Sequence, residues 1–493
     1  LARSALRHGA PLARDGVNLI SQEEGREAGA DGLWRWSPWL QIYTAALGFK
    51  MGGFSTQAAR LPFALAALLT IALVYALIRN GFQDRAWALL ATLLLTLCVP
   101  FLMFGRQCRY YSLGALFVMA SLCAARSRWA TRLTPGLFLA GAFVMLFYTS
   151  HLLFLSFGAA FGLAALWWYG RELPLRRAIL LAGSALLLIL PGMLFYRVRQ
   201  QTGMMNGSLV LPHLEFYAGT ACQFLVPLPL LVVLGTRWGL RLLSGRPVCD
   251  TAAERFVIFL GLIILANMAA LLPVPQEGFR YVAHLLPLSC IILAWIVCRL
   301  WTYQRCGAIL LAGLLGLTNW LHVLPMDWLG IVNRPWHNDA RMLTAPNIPL
   351  RLYLAELRHG YPDVNGKVVE FLAAHALPGD TIVTTYGDLP LQFYLPSCRI
   401  LGGLQGQVIP AEPRPEWIVP RLCSRVNRQG VFYEGVRFVR ESVDLDWDYE
   451  AVVLPWPDEP YDNQPDPYYH RFFPPEEPFG RLVICRRKES GSP

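Results

Sequence analysis

Between about Arg60 and Leu324 the chain runs in apolar blocks of roughly 17 to 20 residues, parted by short polar gaps that carry arginine. Blocks of this length read as membrane-spanning helices. Ten are predicted: 61–78, 86–104, 110–125, 135–149, 151–168, 178–196, 216–235, 255–273, 281–298 and 307–324. Two boundaries follow from length. As one helix, 86–125 would reach about 60 Å, twice the roughly 30 Å hydrocarbon core. The chain must turn back, and "RQCRYY" (106–111) is the polar place to do so. The same argument puts a turn at "YTSH" (Tyr148–His151).

The two ends read differently. Residues 1–60 are polar, with Asp15, Glu23, Glu24, Glu27 and Asp31 close together. Trp34, Trp36, Trp39 and Tyr43 follow, residue types that favour the headgroup layer, and 39–51 reads as an interfacial helix. After about Leu324, "VNGKVVEFLAAHALPGDTIVTTYGDLPLQFYL" reads as helix, strand, helix, and "EWIVPR", "YEAVVLPW" and "GRLVICRR" as strands. The expectation is a polytopic α-helical membrane protein with a small C-terminal α/β domain. Its parts are 1–60, a loop with an interfacial helix; 61–325, a transmembrane domain of about ten helices; and 326–493, the α/β domain. "DEPYDNQPDPYYHRFFPPEEP" reads as a Pro-rich loop.

Composition agrees. Of 493 residues 55% are hydrophobic and 15% charged, against roughly 25% charged in an average soluble domain. The net charge of +10 comes almost wholly from arginine in the short loops, so it reports orientation rather than nucleic-acid binding. One set of gaps holds Arg79, Arg85, Arg126, Arg128, Arg132, Arg171, Arg176, Arg177, Arg237, Arg241, Arg246, Arg299 and Arg305, and is assigned to the cytoplasm. The other holds Arg106, Arg109, Arg197, Arg199 and Arg280, so 1–60 and the tail share the outer face. The 11 cysteines form no CxxC pair and no zinc spacing. Cys398, Cys423 and Cys485 leave one tail disulfide open.

Candidate chemistry is sparse. "GGLQG" (402–406) lacks the dinucleotide pattern and reads as a turn. His151 and His284 stand alone and read as helix-packing residues. The acidic cluster could serve as a base, hold a metal, or be a solvated loop. Arg106 and Arg109 lie on the outer side, where orientation does not explain them. Two guanidinium groups there suit a phosphate by charge and bidentate geometry; lipid anchoring or pairing with the acidic cluster are the other readings. Arg280 and Tyr281 raise the same question. The blocks carry almost no internal charge, which disfavours ion-coupled transport and favours chemistry at one membrane face.

The segment "GREAGADGLWRWSPWLQIYTAALGFKMGGFSTQAARLPFALAALLTIALVYALIRNGF", with "RQCRYYSL" and "FRYVAHLLPL" after it, resembles the family-39-like glycosyltransferases of the GT-C superfamily. That group includes the protein O-mannosyltransferases and the bacterial lipid A aminoarabinose transferases. The resemblance implies a GT-C fold in the bacterial inner membrane, with the C-terminal domain extracytoplasmic. It implies transfer of a hexose or pentose from a polyprenyl-phosphate donor to a hydroxyl of a lipid, protein or glycan acceptor. Basic residues would stabilise the leaving phosphate, with Arg106, Arg109, Tyr110, Arg280 and Tyr281 at the matching positions. The family's acidic base lies in an element that would precede Leu1, because this sequence opens as though inside a longer protein. Glu23 and Glu24 are weaker stand-ins. No cofactor is indicated, and a divalent metal stays open. A lipid-linked glycan polymerase or ligase, and a transporter or envelope-assembly protein, are the competing classes. On this reading Arg109→Ala in the full-length protein abolishes sugar transfer and leaves membrane insertion intact. Unchanged turnover removes Arg109 from the site.

Overall fold

The computed structural model describes residues 1–14, 16–126, 133–170, 175–202, 204–331, 342–359, 363–410, 412–421, 433–458, 466–470, 472–473 and 480–488. They form two compact units. One comprises 37–359 and 465–472; the other comprises 1–36, 360–464 and 473–493. The expected polytopic helical region and small C-terminal α/β domain are both present.

Among the described residues of the helical unit, five helices are long and apolar enough to cross a membrane: Thr56–Phe82, His151–Tyr169, Leu175–Phe195, Ala252–Leu271 and Ala283–Trp301. Polar residues in the gaps cap three of them, and the helix Arg85–Leu97 as well. Ser55, Asp84, Ser150 and Thr251 each accept a backbone N–H from the first turn of the helix that follows, which satisfies donors that apolar surroundings could not. The long run 86–125 turns back at residues 106–109, between the helices Val99–Gly105 and Tyr110–Arg126.

Three further spans are bent, a feature the periodicity did not show. Arg85–Leu97 meets Val99–Gly105 at 67°, Gly207–Leu225 meets Leu228–Leu243 at 99°, and Arg305–Leu317 meets Trp320–Trp328 at 86°. Proline explains the first two, since Pro100 and the Pro227–Pro229 pair cannot continue a helix without losing hydrogen bonds. Asn319 explains the third. Its amide donates to the carbonyls of Leu343 and Ala345 at 2.8 Å each, and its oxygen accepts from the Asn347 N–H at 2.8 Å. The expected blocks 86–104, 216–235 and 307–324 are therefore broken ones.

Among the described residues the second unit is built on five strands, β1 (Thr381–Thr384), β2 (Arg399–Gly402), β3 (Trp417–Val419), β4 (Tyr449–Pro457) and β5 (Arg481–Arg487), in the order β2-β1-β3-β5-β4. β1 is parallel to β2 and β3; β5 is antiparallel to β3 and β4. Side chains alternate between two cores. Ile382, Ile400, Trp417, Val419 and Ile484 pack on the helices Val364–His375 and Asp388–Tyr394; Val383, Leu401, Ile418 and Cys485 pack on Phe438 and Tyr449. Cys398 and Cys485 are buried in these separate cores, Cys398 as a free thiol, and Cys423 lies outside the described residues.

The N-terminal segment belongs to this unit. Asn18 donates to the Cys398 carbonyl (3.0 Å) and accepts from the Ile400 N–H (2.7 Å), covering the edge strand β2. "GGLQG" is a turn, as its composition predicts. Gly402 has φ +106, and a Cβ there would stand 1.9 Å from the Thr384 carbonyl oxygen of β1.

Asp388 opens the helix after β1 and accepts a hydrogen bond from Gln405 Nε2 at 3.1 Å. Burial pushes its carboxyl up to about 6, against the lowering effect of Gln405. The folded state therefore holds this proton more tightly than the unfolded chain, whose aspartates titrate near ~3.9. Stability from this group is full below that value and is lost as pH rises through about 6. Asp388→Asn should thus stabilise the protein at pH 8 by an amount on the order of 2 kcal/mol, with the gap closing by about pH 4. Melting curves of the two proteins across that range check it. A gap independent of pH refutes it.

Candidate functional site

The arginines singled out by sequence sit on two turns of the helical unit, and aromatic rings fasten those turns together. Phe104 closes the helix Val99–Gly105 and is buried. Its ring stacks on Phe279 at 5.6 Å and 20°, and meets Tyr111 edge-on at 4.5 Å. Phe279 has no exposed surface and belongs to the 3-10 turn Phe279–Tyr281, closed by Tyr281 N–H to Gly278 C=O at 3.2 Å. Phe224 packs on Phe279 at 5.0 Å and on Tyr468 at 5.1 Å. Arg106 and Arg280 therefore emerge two and one residues beyond the two stacked rings.

Each arginine has its own setting. Arg280 donates to Gln276 Oε1 at 2.7 Å and to the Tyr281 hydroxyl at 3.0 Å, with its guanidinium 4.8 Å from the Tyr281 ring centroid. Tyr110, at the start of Tyr110–Arg126, lies within electrostatic reach of Tyr281, Arg280 and Arg109. Arg109 is exposed and has no hydrogen-bond partner among the described residues. Arg106 lies 5.3 Å from the Tyr353 ring centroid, and its Nη2 stands 3.6 Å from Glu356 Oε1. So Tyr110 lies close to Arg109, Arg280 and Tyr281, while Arg106 faces Tyr353 and Glu356. Glu23 and Glu24 belong to the other unit. There Glu24 has φ +57, is exposed, and pairs with Arg26 at 2.9 Å, and the Glu23 N–H bonds to Ser21 Oγ at 3.3 Å. Glu27 of the same cluster is buried and accepts from Ser21 Oγ (2.5 Å) and the Gln22 N–H (2.6 Å). His151 and His284 are both buried, and His284 Nε2 lies 3.3 Å from Asn267 Nδ2.

Sequence reasoning missed the acidic side of this site. Tyr353 and Glu356 are three residues apart on the helix Pro349–His359, hence on one face. Glu356 Oε2 accepts from His470 Nε2 at 3.0 Å. Asp466, four residues before His470, lies near Arg280; burial pushes its carboxyl up to about 6, opposed by the Tyr468 N–H and by Arg280. The only sequence signal for these was "DPYYH", a polar and aromatic knot inside a loop. Arg60 also went unnoticed; it is exposed and within electrostatic reach of Cys108 in the 106–109 turn. Among the described residues no three His, Cys, Asp or Glu side chains gather as a metal site. What converges is a set of guanidinium and phenol donors suited to an oxyanion.

Residues 37–195 match the family of dolichyl-phosphate-mannose-protein mannosyltransferases. The fold is similar to that of ArnT from Cupriavidus metallidurans. Against the structure bound to undecaprenyl phosphate the TM-score is 0.54 at 13% identity, covering 92% of this chain and 88% of that one. Against the apo structure it is 0.57 at 14% identity, covering 98% and 91%. No curated protein sequence matches. The chain thus shares the fold of the ArnT structures over nearly its whole length, and its residues 37–195 carry the match to the mannosyltransferase family.

Holding the two turns in register is the task of the ring pair. Phe279→Ala should cost about 3–5 kcal/mol, the usual range for a fully buried phenylalanine. Thermal unfolding of the full chain measures it, and a loss below about 1 kcal/mol contradicts the role given to the stack.

Proposed function

We propose that this protein moves a sugar from a polyprenyl-phosphate donor to a hydroxyl acceptor at the outer face of a bacterial inner membrane. The observation that carries the reading is the pair of arginine-bearing turns locked by the Phe104–Phe279 stack. Arg106, Arg109 and Arg280 bind the donor phosphate, and Tyr110 and Tyr281 line it. The solved ArnT structure with undecaprenyl phosphate supports the class of donor. The loop-charge asymmetry supports the orientation, with the α/β unit extracytoplasmic.

In the reaction the acceptor oxygen attacks the anomeric carbon, with inversion. A new C–O glycosidic bond forms as the C–O bond to phosphate breaks. The hydroxyl proton passes to a base, and the polyprenyl phosphate leaves with the bonding pair. Charge grows on the phosphate oxygens along this path, so donors fixed beforehand around that position lower the barrier. Tyr281 and Gln276 fix Arg280 in this way, since both hydrogen bonds come from its Nη2 and leave the rest of the fork to the ligand.

The test is binding of undecaprenyl phosphate to the purified full chain in lipid nanodiscs. Each of Arg106→Ala and Arg280→Ala should weaken it about 10- to 100-fold, the loss of one charged hydrogen-bonding group. Equal affinity for undecaprenol, which lacks the phosphate, refutes the reading.

A further inference from the structure

The segment 466–470 belongs to the helical unit, with Asp466 near Arg280 and His470 bonded to Glu356 beside Arg106. Its pin is Tyr468. The Tyr468 hydroxyl shares a 2.7 Å hydrogen bond with Thr220 Oγ1 and donates to Gln223 Oε1 at 3.3 Å. Its ring packs on Phe216 (5.4 Å) and Phe224 (5.1 Å), and its side chain is buried. The backbone N–H groups of Tyr469 and His470 both bond to the Asp466 carbonyl, at 3.0 and 2.8 Å, so the segment is a closed turn.

Two residues past the pin, His470 is fully buried and edge-on to Phe472 at 4.6 Å. Its Nε2–H donates to one carboxylate oxygen of Glu356 at 3.0 Å, and the other oxygen faces Arg106 Nη2 at 3.6 Å. A monodentate contact at 3.6 Å orients the guanidinium without using up its fork. Tyr353, on the same helical face as Glu356, supplies a ring beneath it at 5.3 Å. Histidine, glutamate and arginine thus form one line from a buried anchor to a half-exposed cation.

We propose that Glu356 and His470 are positioning residues for Arg106, so that the 466–470 segment is part of the donor-phosphate site. This rests on the reading of Arg106 as a ligand of the donor phosphate. An unheld arginine must lose its rotamer freedom when it binds; one already fixed by a carboxylate and a ring has lost it in folding. The line also explains why an acidic group stands beside a site for an anion. Glu356 is tied on its far side to His470, which draws charge away from the arginine.

A double-mutant cycle on the full chain in nanodiscs, with undecaprenyl phosphate as the probe, separates positioning from mere structure. Glu356→Gln should weaken binding about three- to tenfold, part of the rotamer freedom of one arginine. In an Arg106→Ala background the same substitution should change nothing further. Where Glu356→Gln fails to fold, His470→Ala runs the same cycle with the carboxylate in place. Equal losses in both backgrounds indicate a structural role and overturn the proposal. Unchanged or tighter binding by Glu356→Gln overturns it too, while a loss in Arg106→Ala alone leaves the donor reading standing. No loss in Arg106→Ala removes both.

Discussion

Hydrocarbon cannot satisfy a backbone or side-chain polar group, and this constraint orders the helical unit. Charged donors can be shown only where helices end. Ends must in turn be held by something that tolerates the apolar layer. Aromatic rings meet both needs, having wide apolar faces with polar edges or tips. The Phe104–Phe279 stack joins two helix ends far apart in sequence, and Phe224 and Tyr468 extend the layer. One side of that layer carries the arginines. Phe224 also lines a cavity of about 80 Å³, with Cys98, Gln223, Ser289, Asn319 and His322 among others. All three broken spans contribute to its walls, which fits the rule that irregular backbone at membrane depth is tolerated where protein or a cavity surrounds it.

How much of this could be read in the sequence differs by length scale. Apolar runs and hydrocarbon thickness located the turns at 106–109 and 150, since each is forced by a single number, the span a helix can cover. The α/β domain was legible because its strands are short apolar runs bounded by proline and glycine. The bends were not legible. A proline early in a helix is permitted as readily as one that breaks it, and Asn319 acts through residues about 25 positions away. Local patterns carry no trace of such a partner.

The site divides the same way. Its arginines stood out because they broke the charge rule for membrane loops. Glu356 did not, because a glutamate on an amphipathic helix is ordinary until its neighbours are known. His470 lay in a stretch with no periodicity at all. What made Glu356 and His470 visible is the pin at Tyr468, which depends on Thr220 and Gln223 from a helix almost 250 residues earlier. The N-terminal segment shows the converse. Its acidic residues invited a catalytic reading by composition, whereas Glu27 closes a local turn with Ser21 and Gln22.

Chemistry alone does not separate a structural arginine from a functional one; the use of its donors does. Among the arginines expected on the cytoplasmic side, Arg237 and Arg241 lie in the helix Leu228–Leu243, where Arg237 bonds to the fully buried Glu254 at 2.9 Å and Arg241 to Asp250 at 2.5 Å. Arg126 donates to the Gly81 carbonyl at 2.8 Å and covers the Phe82 ring at 4.7 Å. Those guanidinium groups are committed to protein partners and close helix ends, as loop arginines commonly do. On the other turns, Arg109 has no such partner among the described residues, Arg106 has one monodentate carboxylate contact, and Arg280 spends a single nitrogen on its two hydrogen bonds. On the function proposed above, these spare donors are the ones that a phosphate from outside the chain would take up.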